Sequence, residues 1–489
     1  MNARPPLSMP RLQRTAPFNR PIRVLQFGAG NFLRGFFDWQ IDLLNERCGL
    51  DAGIVVVRPS GRSAQPLLDV QGGRYTTLIR GLDEQGQPVR EFRIIDCVQR
   101  EIDLATMFDD YLAEARRPEL RFVVSNTTEA GISTNDDDRY DDRPPASFPA
   151  KLTRWLHERY RHFDGAREAG VVVLPCELID DNGPALKAAI AHFARRWALE
   201  DGFLQWLDLG CTFCSTLVDR IVPGHPQGEI AALEAELGYQ DRFLVTAEHF
   251  YLFVIEGPAW LADTLRLHGS GLNVQIVDDI KPYKQRKVGV LNGGHTVLVP
   301  VALLAGVQSV GEAMADPALH GFLVNTLQQE IMPALPLPAS ELQPFADAVL
   351  RRFANPYLHH RLASIALNSW AKFAARVMPQ LLRYQQLRGQ LPPHLVLALA
   401  ATLRLYRGDL IPLADDPALI DALRADWQAV DEGSLTLTEL VHRMLGRQAV
   451  WRQDLNAAPG LTDAVAQALQ QLQQQGIRAC LAILEQPAG

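Results

Sequence analysis

Ile22–Glu46 reads IRVLQFGAGNFLRGFFDWQIDLLNE, and the order of elements within it decides the fold of the N-terminal half. Ile22–Phe27 is an apolar run of strand length that breaks on Gly28 and Gly30. From Phe32 onward the apolar residues return at helical spacing. A strand, a tight glycine turn and a helix in that order hold a pyrophosphate on backbone amides and a helix N-terminus. Gly28 and Gly30 fill the first two positions of the dinucleotide fingerprint, while the third falls on Leu33. Two glycines alone also fit a plain β–α turn. The strand-to-helix context favours a nucleotide site lined by Phe27, Gly28, Ala29, Gly30, Asn31, Phe32 and Leu33.

Working outward, Ile54–Val57 is the second strand. Arg58 stands near where an NAD-specific unit often carries an acidic residue for the ribose. It suits either a 2′-phosphate or adenine stacking, so these residues leave NAD against NADP open. Residues 74–98 alternate as a hairpin around DEQG, an insertion into the βαβ order. A helix is predicted over 104–115, then a strand over 121–125 that ends in Asn126, Thr127, Thr128 and Glu129. Such strand ends bind ligands in doubly wound folds, and a polar turn is an equally good reading of these residues alone. Helix, strand and helix follow over 147–197, with the charged stretch Asp136–Arg143 expected to be solvated. Asp219 and Arg220 interrupt an apolar strand, where charges are normally paired; they form a structural ion pair or border a substrate cleft.

Val277–Val301 reads VDDIKPYKQRKVGVLNGGHTVLVPV. A helix begins after Asp278 and Asp279, with Pro282 where the first turn tolerates it. At ~100° per residue, Lys287, Asn292 and His295 span an arc of roughly 140°, so an ammonium, an amide and an imidazole look into one cavity. Gly293 and Gly294 cost about 1 kcal/mol each against alanine in a helix, and they admit a ligand or another backbone. The plainer reading is a solvated face with a satisfied core histidine. Beyond residue 280 strand signals vanish and helical periodicity recurs, broken by MPALPLP and LPP. The predicted architecture is α/β plus all-α. A Rossmann-like, doubly wound domain with insertions covers 1–278, and a helical substrate and catalytic domain covers 279–489. Lys287 then lies near their junction, where a cleft is expected.

Composition is that of an ordinary globular chain of 489 residues, 47% hydrophobic and 21% charged. A net charge of −8 without a basic stripe argues against nucleic acid, and an anionic substrate would need a local basic cluster against that field. No apolar run reaches the length of a membrane span, and the basic N-terminus lacks a signal core, which points to a reducing cytoplasm. The six cysteines are scattered. Cys211 and Cys214 form one C-x-x-C without a second pair, and they read as small buried hydrophobes, so no metal is expected. A zinc hydrolase built on Cys211, Cys214 and His225 is a remote alternative.

GAGNFLRGF, SNTTEAGI, STLVDRI and above all KVGVLNGGH resemble the mannitol dehydrogenase family of polyol-specific long-chain dehydrogenases, from about residue 20 to the end. The resemblance implies an NAD-linked, metal-independent ketose and polyol oxidoreductase. It places the catalytic lysine on Lys287, the oxyanion-steadying amide on Asn292 and a substrate-orienting imidazole on His295. VVVRP, PCELID and IVDDIKPYKQRK look most like a subgroup that reduces keto-uronates. Where the family has a C-D-N motif, the chain has C-E-L, so Leu178 replaces one expected amide. The implied partner is a small sugar acid, whose carboxylate needs a cation; Arg220, Lys281 and Lys284 are the candidates, with Asp219 beside them. A monomer or small homo-oligomer is expected. The alternatives are fructuronate or mannitol as substrate, and a non-catalytic dinucleotide sensor.

Overall fold

The computed structural model describes residues 9–58, 66–127 and 131–485. It divides into two compact units, residues 1–83 with 87–280, and residues 84–86 with 281–489.

The first unit contains the strands β1 (Ile22–Phe27), β2 (Gly53–Arg58), β3 (Tyr75–Leu82), β4 (Pro88–Ile95), β5 (Val98–Asp103), β6 (Phe122–Ser125), β7 (Val172–Pro175), β8 (Thr212–Phe213), β9 (Ser215–Asp219), β10 (Val245–Glu248), β11 (Leu252–Glu256) and β12 (Val274–Val277). Six of them form one sheet in the order β5-β2-β1-β6-β7-β8. Every pairing in it is parallel. Counted along the chain within this sheet, the order is 3-2-1-4-5-6, the doubly wound arrangement, with its switch point between β1 and β6. Phe27 is in register with Val57 on one side and Ser125 on the other, so the carboxyl ends of β1, β2 and β6 finish level.

Both faces of the sheet are covered, which explains the near-continuous apolar strands. Val24, Ile54, Val56 and Val124 face one core with Phe37, Ile41 and Leu44 of the helix Phe37–Cys48. Leu25, Phe27, Val55, Val57 and Val123 face the other, with Trp155 and Leu186 from the helices Phe148–His162 and Asn182–Arg196. The hairpin expected over 74–98 is present as antiparallel β3 and β4, and β10 adds to β3 in parallel. A third sheet pairs β11 antiparallel to β9 and parallel to β12.

Two local expectations are corrected. The helix after the glycine turn is not continuous: Asn31–Arg34 ends at Gly35, and the next helix begins at Phe37. A Cβ on Gly35 would lie 3.0 Å from Val222 Cγ1, so close packing bends the chain there. The acidic stretch 136–143 is not wholly solvated. Asp138 is buried and accepts from the Ser147 amide (3.0 Å) and hydroxyl at the start of the next helix.

In the second unit every regular element among the described residues is helical. Its axis is the stretch from Lys281 to Leu304, in which Lys281–Arg286 and Gly293–Leu304 are α-helical and Lys287–Asn292 is a π-helix. Val297, Leu298, Val299 and Val301 are nearly inaccessible. Pro317–Asn325, Ser369–Arg376 and Pro393–Leu405 pack around them.

One buried acid of the helix Phe37–Cys48 predicts a pH signature. Asp38 is fully buried and accepts from the Tyr75 hydroxyl (2.6 Å) and, more weakly, from Gln26 Nε2 (3.5 Å). Burial raises its pKa to about 7, against the opposing pull of Tyr75, Arg34 and Gln26. An exposed aspartate loses its proton near pH ~4. Between there and neutrality the folded state therefore binds more protons than the unfolded, and stability falls as pH rises through that window. Asp38→Asn removes the slope. The apparent Tm of the variant relative to wild type should improve by several degrees between about pH 5 and about pH 7.5; a difference unchanged over that range would refute this account of Asp38.

Candidate active site

The carboxyl ends of β1 and β6 carry the glycine turn. Gly28 has φ +117°, and a Cβ there would lie 3.0 Å from the Asn126 carbonyl, so both torsion and space demand glycine. Its amide donates to the Val57 carbonyl (3.0 Å), and the Asn126 amide donates to the Phe27 carbonyl (3.1 Å). Gly30 is exposed, and a Cβ on it would meet nothing within 4 Å. The turn thus offers bare backbone to an approaching group, at the switch point where a dinucleotide fits.

The side chains expected around that turn divide sharply. Phe27 and Leu33 are buried in the two cores and support the turn from beneath. Ala29 is half-buried, and Phe32 stacks on Phe36 at 4.9 Å. Asn31 turns its carboxamide to Arg34, whose Nη2 donates to it at 2.7 Å. Thr127 donates through its amide (3.0 Å) and hydroxyl (2.9 Å) to Glu177, and Ser125 donates to the second oxygen of the same carboxylate (3.0 Å). Burial raises the pKa of Glu177 against these donors. Glu177, in the C-E-L motif, therefore organises the end of β6, while the neighbouring Leu178 is 60% exposed and donates no side-chain hydrogen bond. Thr128 and Glu129 lie outside the described residues. Gln26 was not anticipated: its Nε2 donates to the Gly28 carbonyl (3.2 Å). The signal available was a glutamine inside an apolar strand.

Arg58 forms an ion pair with the buried carboxylate of Glu101 (2.7 Å). Arg220, expected near a substrate carboxylate, is buried instead among structural partners. It donates to the carbonyls of Gly35 (2.9 Å) and Glu248 (2.8 Å) and lies 4.2 Å over the Trp39 ring. Burial lowers its pKa to about 10. Asp219 is buried at the end of β9. Cys211 and Cys214 are buried thiols whose pKa burial raises to about 12, and His225 Nδ1 meets the Leu244 carbonyl (2.9 Å).

In the second unit the π-helix begins on Lys287 and ends on Asn292. Residues five apart are roughly 140° apart on an α-helix. The wider i→i+5 turn brings them nearer one face, so Lys287 and Asn292 are closer in azimuth than helical spacing predicts. Both are half-buried. Among the described residues the Asn292 carboxamide makes no hydrogen bond, and only its backbone carbonyl is engaged, by Thr296 Oγ1 (2.8 Å). The His295 ring stacks on Phe353 at 3.9 Å and meets His360 edge-on at 5.2 Å. Neither ring nitrogen has a hydrogen-bond partner among the described residues. Burial, then the charges of His360, Arg352, Arg376 and Lys372, hold its pKa well below the ordinary imidazole value, so it is neutral at working pH. Cβ atoms built on Gly293 and Gly294 would lie 3.5 Å from the Arg376 carbonyl and 3.6 Å from Leu323, ordinary contact distances, so packing does not demand glycine at either position.

The basic group around His295 was missed because nothing distinguishes Arg352, Lys372 and Arg376 from surface cations in the sequence. Lys284, on the turn before Lys287, is half-buried. Arg286 lies 4.6 Å over Phe345 and 3.9 Å from Glu341.

Two family models match the chain, the mannitol dehydrogenase Rossmann domain over residues 22–269 and the mannitol dehydrogenase C-terminal domain over 279–473. The chain belongs to the mannitol dehydrogenase family. It is a dehydrogenase acting on CH–OH groups. An altronate oxidoreductase of Pectobacterium atrosepticum is 54% identical over 94% of this chain and 96% of its own length. Altronate oxidoreductases of Yersinia pestis and Klebsiella pneumoniae share the same identity over 95% and 94% of this chain, and 97% and 96% of their own lengths. Among solved structures, Pseudomonas fluorescens mannitol 2-dehydrogenase in ternary complex with NAD and D-mannitol aligns with TM-score 0.67 and 21% identity over 98% of each chain. A substrate-free D-sorbitol dehydrogenase aligns with TM-score 0.78 and 20% identity over 97% of this chain and 98% of its own. These two show the fold.

The two glycines of the turn should behave differently. Gly30→Ala is expected to fold with wild-type Tm but to bind a dinucleotide more weakly, because its methyl enters the space the ligand needs. Gly28→Ala should lower the Tm as well, since a strained positive-φ residue costs roughly 1–3 kcal/mol. Thermal denaturation and titration of NADH fluorescence separate the two, and equal Tm losses would count against this geometry.

Proposed function

We propose that the chain is an NAD-linked reductase of a keto-uronate, interconverting D-tagaturonate and D-altronate. The observation that carries the chemistry is the helix in which Lys287 opens a π segment, Asn292 closes it with an unpartnered amide, and His295 follows with an unpartnered neutral ring. The altronate oxidoreductases, 54% identical along nearly the whole chain, support the substrate.

The bare backbone at Gly30 and the level ends of β1, β2 and β6 fit a nicotinamide dinucleotide, as does the positive-φ turn at Gly28. The Arg58–Glu101 ion pair favours NAD over NADP, because the guanidinium charge that a 2′-phosphate needs is already met by a buried carboxylate. A nicotinamide held there would supply the hydride for reduction and take it back in oxidation.

The protein's own part is proton transfer and charge stabilisation. Lys287 donates a proton from its ammonium to the ketone oxygen as it becomes an alkoxide. In oxidation the free amine takes that proton from the alcohol. Asn292 donates its N–H to the same oxygen while negative charge develops, a contribution of about 3 kcal/mol when one such donor is removed elsewhere. His295, neutral and braced by Phe353, offers one N–H and one lone pair to orient a substrate hydroxyl.

Lys287→Ala should lower kcat by orders of magnitude while NADH binding persists. Near-wild-type turnover would remove Lys287 from the mechanism. The substrate itself is tested by NADH oxidation with D-tagaturonate and D-fructuronate side by side, tagaturonate being the faster. Because His295 stays uncharged, the pH profile of kcat/KM should carry no His295 limb near its ordinary pKa. His295→Gln should lower the profile without changing its shape; loss of an acidic limb in that variant would show that the ring titrates.

A further inference from the structure

We propose that Arg376 is the carboxylate anchor of the substrate site and selects sugar acids over neutral ketoses and polyols. The inference rests on reading Asn292 and His295 as substrate residues.

Geometry places Arg376 beside them. It is the last residue of the helix Ser369–Arg376. A Cβ on Gly293, the residue between Asn292 and Gly294, would lie 3.5 Å from the Arg376 carbonyl. The end of that helix therefore abuts the turn that carries Asn292 and His295. Phe353 and His360 hold the His295 ring at 3.9 Å and 5.2 Å, and Arg352 precedes Phe353 in the chain.

Charge completes the argument. Arg352, Lys372, Arg376 and His360 all act on the His295 ring. Lys372 donates to the Ile365 carbonyl (2.8 Å) and has Asp415 nearby as a partial counter-charge. Arg376 is half-buried, yet among the described residues it has neither an ion pair nor a side-chain hydrogen bond. A partly desolvated guanidinium without an acceptor is costly, and the cost is removed when a ligand brings the missing anion. A planar fork suits a carboxylate, which it grips through two parallel N–H···O bonds, whereas it gains no comparable charge-assisted pair with a hydroxymethyl group. The bland alternative is that Arg376 only complements the carboxyl end of its own helix.

The test uses the full chain and NADH, with two keto acids, tagaturonate and fructuronate, against two neutral ketoses, D-tagatose and D-fructose. Wild type should prefer the acids in kcat/KM. In Arg376→Gln the KM for the favoured acid should rise on the order of a hundredfold, with kcat much less affected, so the acid-to-neutral ratio collapses. Arg376→Lys should recover part of the ratio, which a helix-end role alone would not produce. If Arg376→Gln does not fold, the ratio in Arg376→Lys decides: a reduced ratio supports the anchor and an unchanged one overturns it. A wild type indifferent to the carboxylate, or an acid preference that survives Arg376→Gln, also overturns the anchor. A wild type that reduces fructuronate but not tagaturonate, with a preference lost on substitution, sinks the substrate named above and leaves the anchor standing.

Discussion

The i→i+5 hydrogen bonding from Lys287 to Asn292 is the constraint on which the helix carrying the candidate residues depends. An unbroken α-helix would leave the ammonium and the amide roughly 140° apart. The wider turn closes that gap, and such segments are rare enough to need support. The support is packing. Val290 and Leu291 are buried, and Gly289 leaves room for Leu335, whose methyl would otherwise lie 3.1 Å from a Cβ. The local distortion and the tight helix packing are therefore one feature.

The first unit solves a different problem, which is to expose backbone while keeping it rigid. Gly28 is fixed by its amide on Val57, by its carbonyl on Gln26 and by the Asn126 carbonyl against its Cα. Gln26 in turn reaches toward Asp38, which Tyr75 holds from the hairpin. The inserted hairpin is thus tied into the floor of the glycine turn. Glu177 does the same for the end of β6 by collecting Ser125 and Thr127. Buried polar side chains on apolar strands are costly unless satisfied, and here their bonds go to the glycine turn and the end of β6.

Electrostatics are equally local. The chain carries −8 overall, a field that opposes anions. The cations at His295 come from two separate stretches, at residue 352 and residues 372–376, and only the fold makes them neighbours. By contrast, Arg58 and Arg220, the arginines that stand out in the sequence, are absorbed by Glu101 and by backbone carbonyls.

By itself the sequence determined the fold class and singled out Lys287, Asn292 and His295 as candidates. Apolar strands broken by Gly28 and Gly30 have few physical solutions, since a strand buried on both faces must enter a covered parallel sheet. Lys287, Asn292 and His295 lie within nine residues, close enough for helical periodicity to relate them. Tertiary structure decided what periodicity cannot carry: the π turn that brings Lys287 toward Asn292, the break at Gly35 where Val222 packs closely, and the engagement of Arg58 and Arg220 elsewhere. It also decided the gathering of Arg352, Lys372 and Arg376. The reason is range. Backbone pattern is fixed by neighbours a few residues away, whereas the partner of a charge is set by packing between segments distant in the chain.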